Sequence, residues 1–245
     1  MNEVIQLLKA HRSIRKFKSE AVNSDLLATI IEAGQAASTS SFIQACTVVQ
    51  ITDQRTRKHF FDITAGQPYV REAPVFLVFC ADMNRHKIAC EMNQSPMLSG
   101  YTEQFLTASI DCALFAQNVM VAAESSGLGG CYIGAIRNQI EKVDRLLNLP
   151  SLVYPVFGMC LGYPDQDPEP KPRLPLEVVF KQETYGDTGD HDRMAAYDAT
   201  VRDYYQNRTG GTKDMSWTEQ ISDMLQKESR PHMKPFLEKK GFIQK

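Results

Sequence analysis

Residues 105–126 set the strongest limit on what this chain can fold into. Ile110, Ala113, Leu114, Ala116, Val119, Met120 and Ala123 spread apolar side chains nearly all round a helical cylinder. Such a helix has little surface suited to water, which predicts burial within a core or an interface. Asp111, Gln117 and Asn118 lie in the same run, so the surroundings are expected to be protein and not a membrane. The glycines of Gly127-Leu128-Gly129-Gly130 then end the helix.

Around it, helical periodicity dominates. Asn23 and Ser24 are caps for a helix over 25–37, whose Leu26, Leu27, Ile30 and Ile31 form one stripe. Further helices are predicted over 4–10, 55–64, 139–147, 193–207, 217–227 and 231–240. Strands are predicted at 47–52, 74–81, 130–133 and 154–161, with a fifth at 178–182. Strands and helices do not alternate strictly, so α+β is predicted in place of a doubly wound sheet. From Asp187 the chain turns polar, and 207–214 reads as a flexible loop, which separates 1–186 from a helical tail over 187–245.

Composition excludes several functions. At 245 residues and 43% hydrophobic, the chain can bury a sizeable core. A net charge of −2 gives no basic field for nucleic acid or an anionic membrane. Met1-Asn2-Glu3 is no basic leader, and cysteines 46, 80, 90, 112, 131 and 160 form no C-x-x-C pair. Reduced core cysteines and a cytoplasmic protein are expected. No metal site is expected, because histidines 11, 59, 86, 191 and 232 lack ligand spacing with the cysteines.

The chemistry-bearing residues lie in short, separated groups. His11-Arg12-Ser13-Ile14-Arg15 is dense in donors suited to a phosphate, and Lys171 and Arg173 form a second basic pair between prolines. Either both are solvated charges, or folding joins them around an anionic cofactor. The glycines at 127, 129, 130 and 134 follow a helix and precede a strand, the reverse of a dinucleotide-binding fingerprint. Gly134 instead leaves room for a flat ring against the backbone. Residues 38–44 offer hydroxyls and an amide, and Gln67 in Gly66-Gln67-Pro68-Tyr69 offers both a donor and an acceptor. No acid–base or nucleophile constellation stands out, so no catalytic residue is assigned. That pattern fits chemistry carried by an organic cofactor.

Taken in order, His11-Arg12-Ser13-Ile14-Arg15, Ser40-Ser41-Phe42-Ile43-Gln44, Gly66-Gln67-Pro68-Tyr69, Gly127 to Gly134, Lys171-Pro172-Arg173-Leu174-Pro175 and Glu228-Ser229-Arg230-Pro231 resemble the nitroreductase superfamily. The likeness is to its oxygen-insensitive NADPH nitroreductase and flavin reductase P group, and it spans almost the whole chain. It implies an α+β fold with a central mixed, mainly antiparallel sheet flanked by helices. It also implies an interlocked homodimer with FMN held non-covalently between subunits. By the same resemblance, His11, Arg12, Ser13, Arg15, Lys171 and Arg173 hold the phosphate region. Thr39, Ser40, Gln44 and Gln67 meet the ribityl chain or ring edge, and Tyr132, Ile133 and Gly134 lie along the ring.

Phe42, Tyr69 and Arg230 would meet substrate, and Arg208 and Lys213 the NADPH 2′-phosphate. The tail would serve the dimer and the nucleotide site within one structural domain. Ala135 and Thr39 depart from the glycine and serine frequent in the family. The activity implied is ping-pong, two-electron reduction of nitroaromatics, quinones or flavins by NADPH. The alternatives are an NAD(P)H:flavin oxidoreductase supplying reduced FMN, and a flavin-binding carrier or sensor without turnover.

Overall fold

The computed structural model describes residues 2–245, which fall into two units: the chain up to Asp167 together with Arg230–Lys245, and Pro168–Ser229. The first unit runs α1 (Glu3–Lys9), α2 (Ser24–Gln35), β1 (Cys46–Gln50), α3 (Gln54–Ile63), α4 (Pro68–Glu72) and β2 (Val75–Asp82). It continues with α5 (Asn84–Met92), α6 (Thr102–Ser125), β3 (Gly129–Ile133), α7 (Ile140–Leu147) and β4 (Val153–Gly162). The second unit holds α8 (Leu176–Val179), α9 (Asp190–Thr209) and α10 (Trp217–Leu225), and α11 (Met233–Lys239) belongs to the first again.

The continuous apolar run of β2 dictates the layering, because every residue of the strand is buried. Val75, Leu77, Phe79 and Ala81 join one cluster with Ala108, Cys112, Ala116, Val119 and Met120 of α6. Phe76, Val78 and Cys80 join another with Phe60 and Ile63 of α3, Val70 of α4 and Val143 of α7. Side chains alternate along a strand, so both faces of the sheet must be covered. The four strands lie in the order β1-β2-β4-β3, and each pairing among the described residues is antiparallel. The expected α+β architecture is what forms.

The long helix behaves as a core element on one side only. Ala108, Asp111, Cys112, Ala116, Val119, Met120 and Ala123 are buried, while Leu106, Ile110 and Leu114 remain 46%, 55% and 42% exposed. Among the described residues, α6 is the one helix long and apolar enough by length and composition to cross a membrane. Here it lies along the sheet. Its end follows the expected glycine stop: Gly127 has φ +79°, Gly127 N–H donates to Glu124 O at 3.1 Å, and Leu128 N–H to Ala123 O at 3.0 Å.

The expected fifth strand is corrected. Residues 178–182 form no strand: α8 turns through Leu176–Val179 behind Pro175, and no neighbouring strand is paired with the segment. The chain turns at Gly66, with φ +76°, and Pro68 opens α4, because proline at a first helical position gives up no needed N–H. α5 has no apolar stripe and was invisible to periodicity. In the second unit α9 continues to Thr209, and Tyr197, Val201, Tyr204 and Tyr205 pack with Leu174 and Trp217. Ser216 and Glu219 cap α10 reciprocally.

One buried cation ties the layer beneath the sheet together. Arg57 of α3, 3% exposed, donates to Ile51 O at 2.8 Å, Val70 O at 3.1 Å, Ala73 O at 2.9 Å and Pro74 O at 3.4 Å. Its burial pulls its pKa down, and its guanidinium sits 5.5 Å from the Phe76 ring centroid. Arg57→Ala would strand these carbonyls, and we expect a loss of about 2–4 kcal/mol in urea unfolding. Arg57→Lys should recover less than half of it, since an ammonium cannot reproduce the fork.

Candidate functional site

The segment after α1 runs beside the outer strand of the sheet. Ile14 N–H donates to Gly130 O at 2.9 Å, Lys18 N–H to Tyr163 O at 2.9 Å and Asp165 N–H to Lys16 O at 3.0 Å. Gly129 makes this approach possible, because a Cβ there would lie 2.5 Å from the Ile14 side chain. Ile14 is the buried member, and the polar residues around it are held in different ways. His11 Nδ1 meets Glu124 Oε1 of α6 at 2.6 Å, and Arg12 donates to Asp167 at 2.6 Å and to Ala10 O at 3.2 Å. The Arg15 charge acts on both the Tyr69 phenol and Cys131 of β3, opposing the upward pull of burial on each. The structure therefore gathers Arg15, Tyr69 and the start of β3.

Two buried polar atoms here have no protein partner: Arg12 Nε, a donor, and Gln67 Oε1, an acceptor. Buried polar groups are almost always hydrogen-bonded, so each is a natural contact for a bound molecule. An open cleft of about 490 Å³ also borders Arg12, but Glu124 and Asp167 line it too, and Arg15 does not. Two carboxylates make that cleft a poor place for a phosphate.

Where β3 ends, Tyr132 is 38% exposed, packs edge-on against Phe157 at 5.2 Å, and donates to Gln117 Oε1 at 3.3 Å. Burial, helped by Glu124, pushes its phenol up to about 12, so it stays a neutral donor. Beyond Gly134, Arg137 donates to Val156 O, and Arg230 Nε donates to Asn138 Oδ1 at 3.0 Å. Burial and the Arg230 charge both lower the Arg137 pKa. Arg230 thus joins the end of β3, with Arg137 as a second cation that motif reading overlooked. Its proximity to Gly134 in sequence was the available signal.

The loop before β1 has a separate anchor. Asp111 of α6, 4% exposed, accepts from Thr39 Oγ1 at 2.5 Å, Ala45 N–H at 2.9 Å and Ser40 N–H at 3.4 Å. Thr39 Oγ1 also accepts from Gln44 N–H at 2.8 Å. The hydroxyl expected to meet a cofactor is thereby engaged in holding the loop. Ser41, Phe42 and Gln44 take φ of +49°, +56° and +53°, a region costly for residues with a Cβ. Phe42 is left 78% exposed, and Ser40 and Gln44 flank it. Sequence reading named Asp111 only as a polar interruption; a lone acid in an apolar helix was the clue to a buried acceptor.

The second unit carries the remaining basic residues. Lys171 Nζ donates to the Tyr205 hydroxyl at 2.7 Å, and Lys213 Nζ lies 3.7 Å from the centroid of the same ring. Burial alone would raise the Tyr205 pKa, but the two lysines outweigh it and bring it below its ordinary value. Arg208 stacks on Tyr204 with 5.7 Å to the centroid. Tyr197 donates to Pro172 O at 2.9 Å, between Lys171 and Arg173 in the chain. Lys171, Arg208 and Lys213 are thus ordered on the tyrosines of α9.

Comparison with known proteins adds identity to this geometry. Residues 8–163 match the model of the nitroreductase family, and 171–245 that of its C-terminal domain. An oxygen-insensitive NADPH nitroreductase of Salmonella typhimurium is 43% identical, covering 99% of both chains. An FMN reductase (NADPH) of Bacillus subtilis is 39% identical, again over 99% of each. The solved structure of an NADPH:FMN oxidoreductase from Vibrio harveyi complexed with NAD+ superposes with a TM-score of 0.91 at 41% identity, covering all of both chains.

Asp111→Ala removes the common acceptor of Thr39, Ser40 and Ala45. We expect a destabilisation of about 2–4 kcal/mol in urea unfolding, with faster amide exchange in residues 39–45 than in β2. Unchanged exchange in the loop would mean that Asp111 does not hold it.

Proposed function

The chain belongs to the nitroreductase family, and we propose that it is an FMN-dependent NADPH oxidoreductase reducing nitroaromatics, quinones or flavins by two electrons. The observation that carries this reading is the pair of orphaned buried atoms, Arg12 Nε and Gln67 Oε1. One suits an anionic or carbonyl oxygen, the other a ring N–H, and FMN offers both. When bound, FMN supplies the redox chemistry, exchanging a hydride first with NADPH and then with the acceptor.

The residues of the chain bind, orient and tune. His11, Arg12, Ser13 and Arg15 would hold the phosphate region. Gln67 meets the ring edge, and Tyr132, Ile133 and Gly134 present a flat edge of β3. Cations at Arg15 and Arg137 would supply positive potential to a bound ring. Phe42, Tyr69 and Arg230 meet the acceptor, and Arg208 and Lys213 read the 2′-phosphate of NADPH. No protein acid or base is assigned, because the bound FMN would supply the redox chemistry and the protons the acceptor takes up would come from solvent.

A homodimer completes the site in this proposal. His11 is anchored to α6 at Glu124 and the Thr39 loop at Asp111. At about 1.5 Å per residue these anchors are about 20 Å apart along the helix. Residues 39–44 of one chain then serve the basic segment of the other, and the exposed Leu106, Ile110 and Leu114 supply an apolar contact. A reducing cytoplasmic setting is supported by six free cysteines among the described residues.

The purified protein should be yellow, release FMN and not FAD on denaturation, and scatter light as a dimer. Arg15→Ala should weaken FMN binding by about 1–3 kcal/mol in fluorescence titration, the scale of one charge-assisted hydrogen bond. A colourless protein that takes up no FMN overturns the assignment. Arg208→Ala should retain FMN and raise the KM for NADPH, with little change for NADH. Equal effects on both nucleotides would take the 2′-phosphate away from Arg208.

A further inference from the structure

Two cysteine pairs lie in the core, and only one of them is reachable. Cys131 and Cys160 face each other directly across β3 and β4, but they are 2% and 0% exposed. Cys46, at the start of β1, is partly exposed and lines an open cavity of about 500 Å³ with Thr39, Arg85, His86, Asp111 and Phe115. Behind it, the fully buried Cys112 of α6 donates its S–H to Cys46 Sγ at 3.4 Å. We propose that Cys46 and Cys112 form an oxidant-responsive dithiol, with Cys46 attacked by a peroxide from the cavity and Cys112 closing a disulfide.

The geometry distributes the roles. Only Cys46 of the pair can meet a solute, and Cys112 donates its S–H to the Cys46 sulfur from behind, so Cys46 is the sulfur that attacks. Burial and Cys46 both push the Cys112 thiol up, which keeps it protonated until its neighbour has reacted. Cys46 sulfur bonds one oxygen of the peroxide and becomes a sulfenic acid, while the O–O bond breaks and the other oxygen leaves as water or an alcohol. Cys112 sulfur then attacks Cys46 sulfur, and the hydroxyl leaves as water with the Cys112 proton. Two thiols lose two electrons and two protons in total, and the peroxide gains them. A disulfide needs about 2.0 Å between sulfurs, so the pair must close by little more than an ångström.

This bond would sit beside the loop anchor. Cys46 follows Ala45 and Cys112 follows Asp111, and Ala45 N–H already donates to Asp111. Reduced flavins form peroxide with dioxygen, so an endogenous source rests on the flavoenzyme reading above, whereas the disulfide itself does not. The test therefore uses added hydrogen peroxide on the protein as purified, followed by alkylation, non-reducing digestion and mass spectrometry with fragment-ion localisation. The expected result is a Cys46–Cys112 link with Cys131 and Cys160 unmodified, abolished by Cys46→Ser. In Cys112→Ser, dimedone should capture sulfenic acid at Cys46. Peroxide that leaves Cys46 unmodified, or that links it to Cys90, overturns the proposal. The mass readout does not depend on turnover, so a link found in a protein unable to oxidise NADPH would sink the flavoenzyme reading and leave the dithiol standing.

Discussion

A strand with no solvent face obliges the rest of the chain to cover it twice. β2 sends Leu77 and Phe79 to one side and Phe76 and Val78 to the other, and each side needs its own apolar layer. Burial of one such side chain contributes about 1.5–3 kcal/mol, so the strand is a large source of stability in the first unit. The lower layer is short helices tied by Arg57, whose one guanidinium reaches the ends of β1 and α4 and the start of β2. The upper layer is α6. Both clusters of expected binding residues hang from that upper layer, through Glu124 and Asp111.

This dependence explains what a reader of the sequence can and cannot see. The helix at 105–126, the glycine stop at Gly127 and the apolar run of β2 were legible because hydrophobic period and a positive-φ glycine are local signals. Residues 178–182 misled because β-branched character describes fitness for a pleated surface, and no sheet edge is paired with them. α5 escaped because its stability comes from tertiary contacts, among them Arg85 to Gln44 O at 2.8 Å and His86 to Ile43 O at 2.5 Å.

The site was legible as a set of motifs, and its internal commitments were not. Nothing local tells Thr39 from Ser40 as a free hydroxyl, yet the fold gives Thr39 to Asp111 and Gln44. Likewise Arg12 reads as a phosphate fork, and the structure spends part of it on Asp167, leaving only Nε unpartnered. Long-range hydrogen bonds made by side chains have no sequence period, so they surface only when the chain is folded. Arg137 was missed for the same reason: its carbonyl partner, on β4, is Val156.

The placement of the two anchors on one helix has a thermodynamic consequence for the proposed assembly. Glu124 and Asp111 fix where each polar segment can reach, and Leu106, Ile110 and Leu114 of that helix remain exposed in the single chain. If one cofactor touches the basic segment of one subunit and the Thr39 loop of the other, it binds the dimer and not the separate chains. Binding and association then favour each other by mass action. In that proposed dimer the apolar stripe would contribute an affinity that does not depend on the cofactor, and the ligand contacts would select the register that joins both segments. A single helix that covers the sheet and anchors both segments ties the core to the expected site, and in the proposed dimer it would carry the contact between subunits as well.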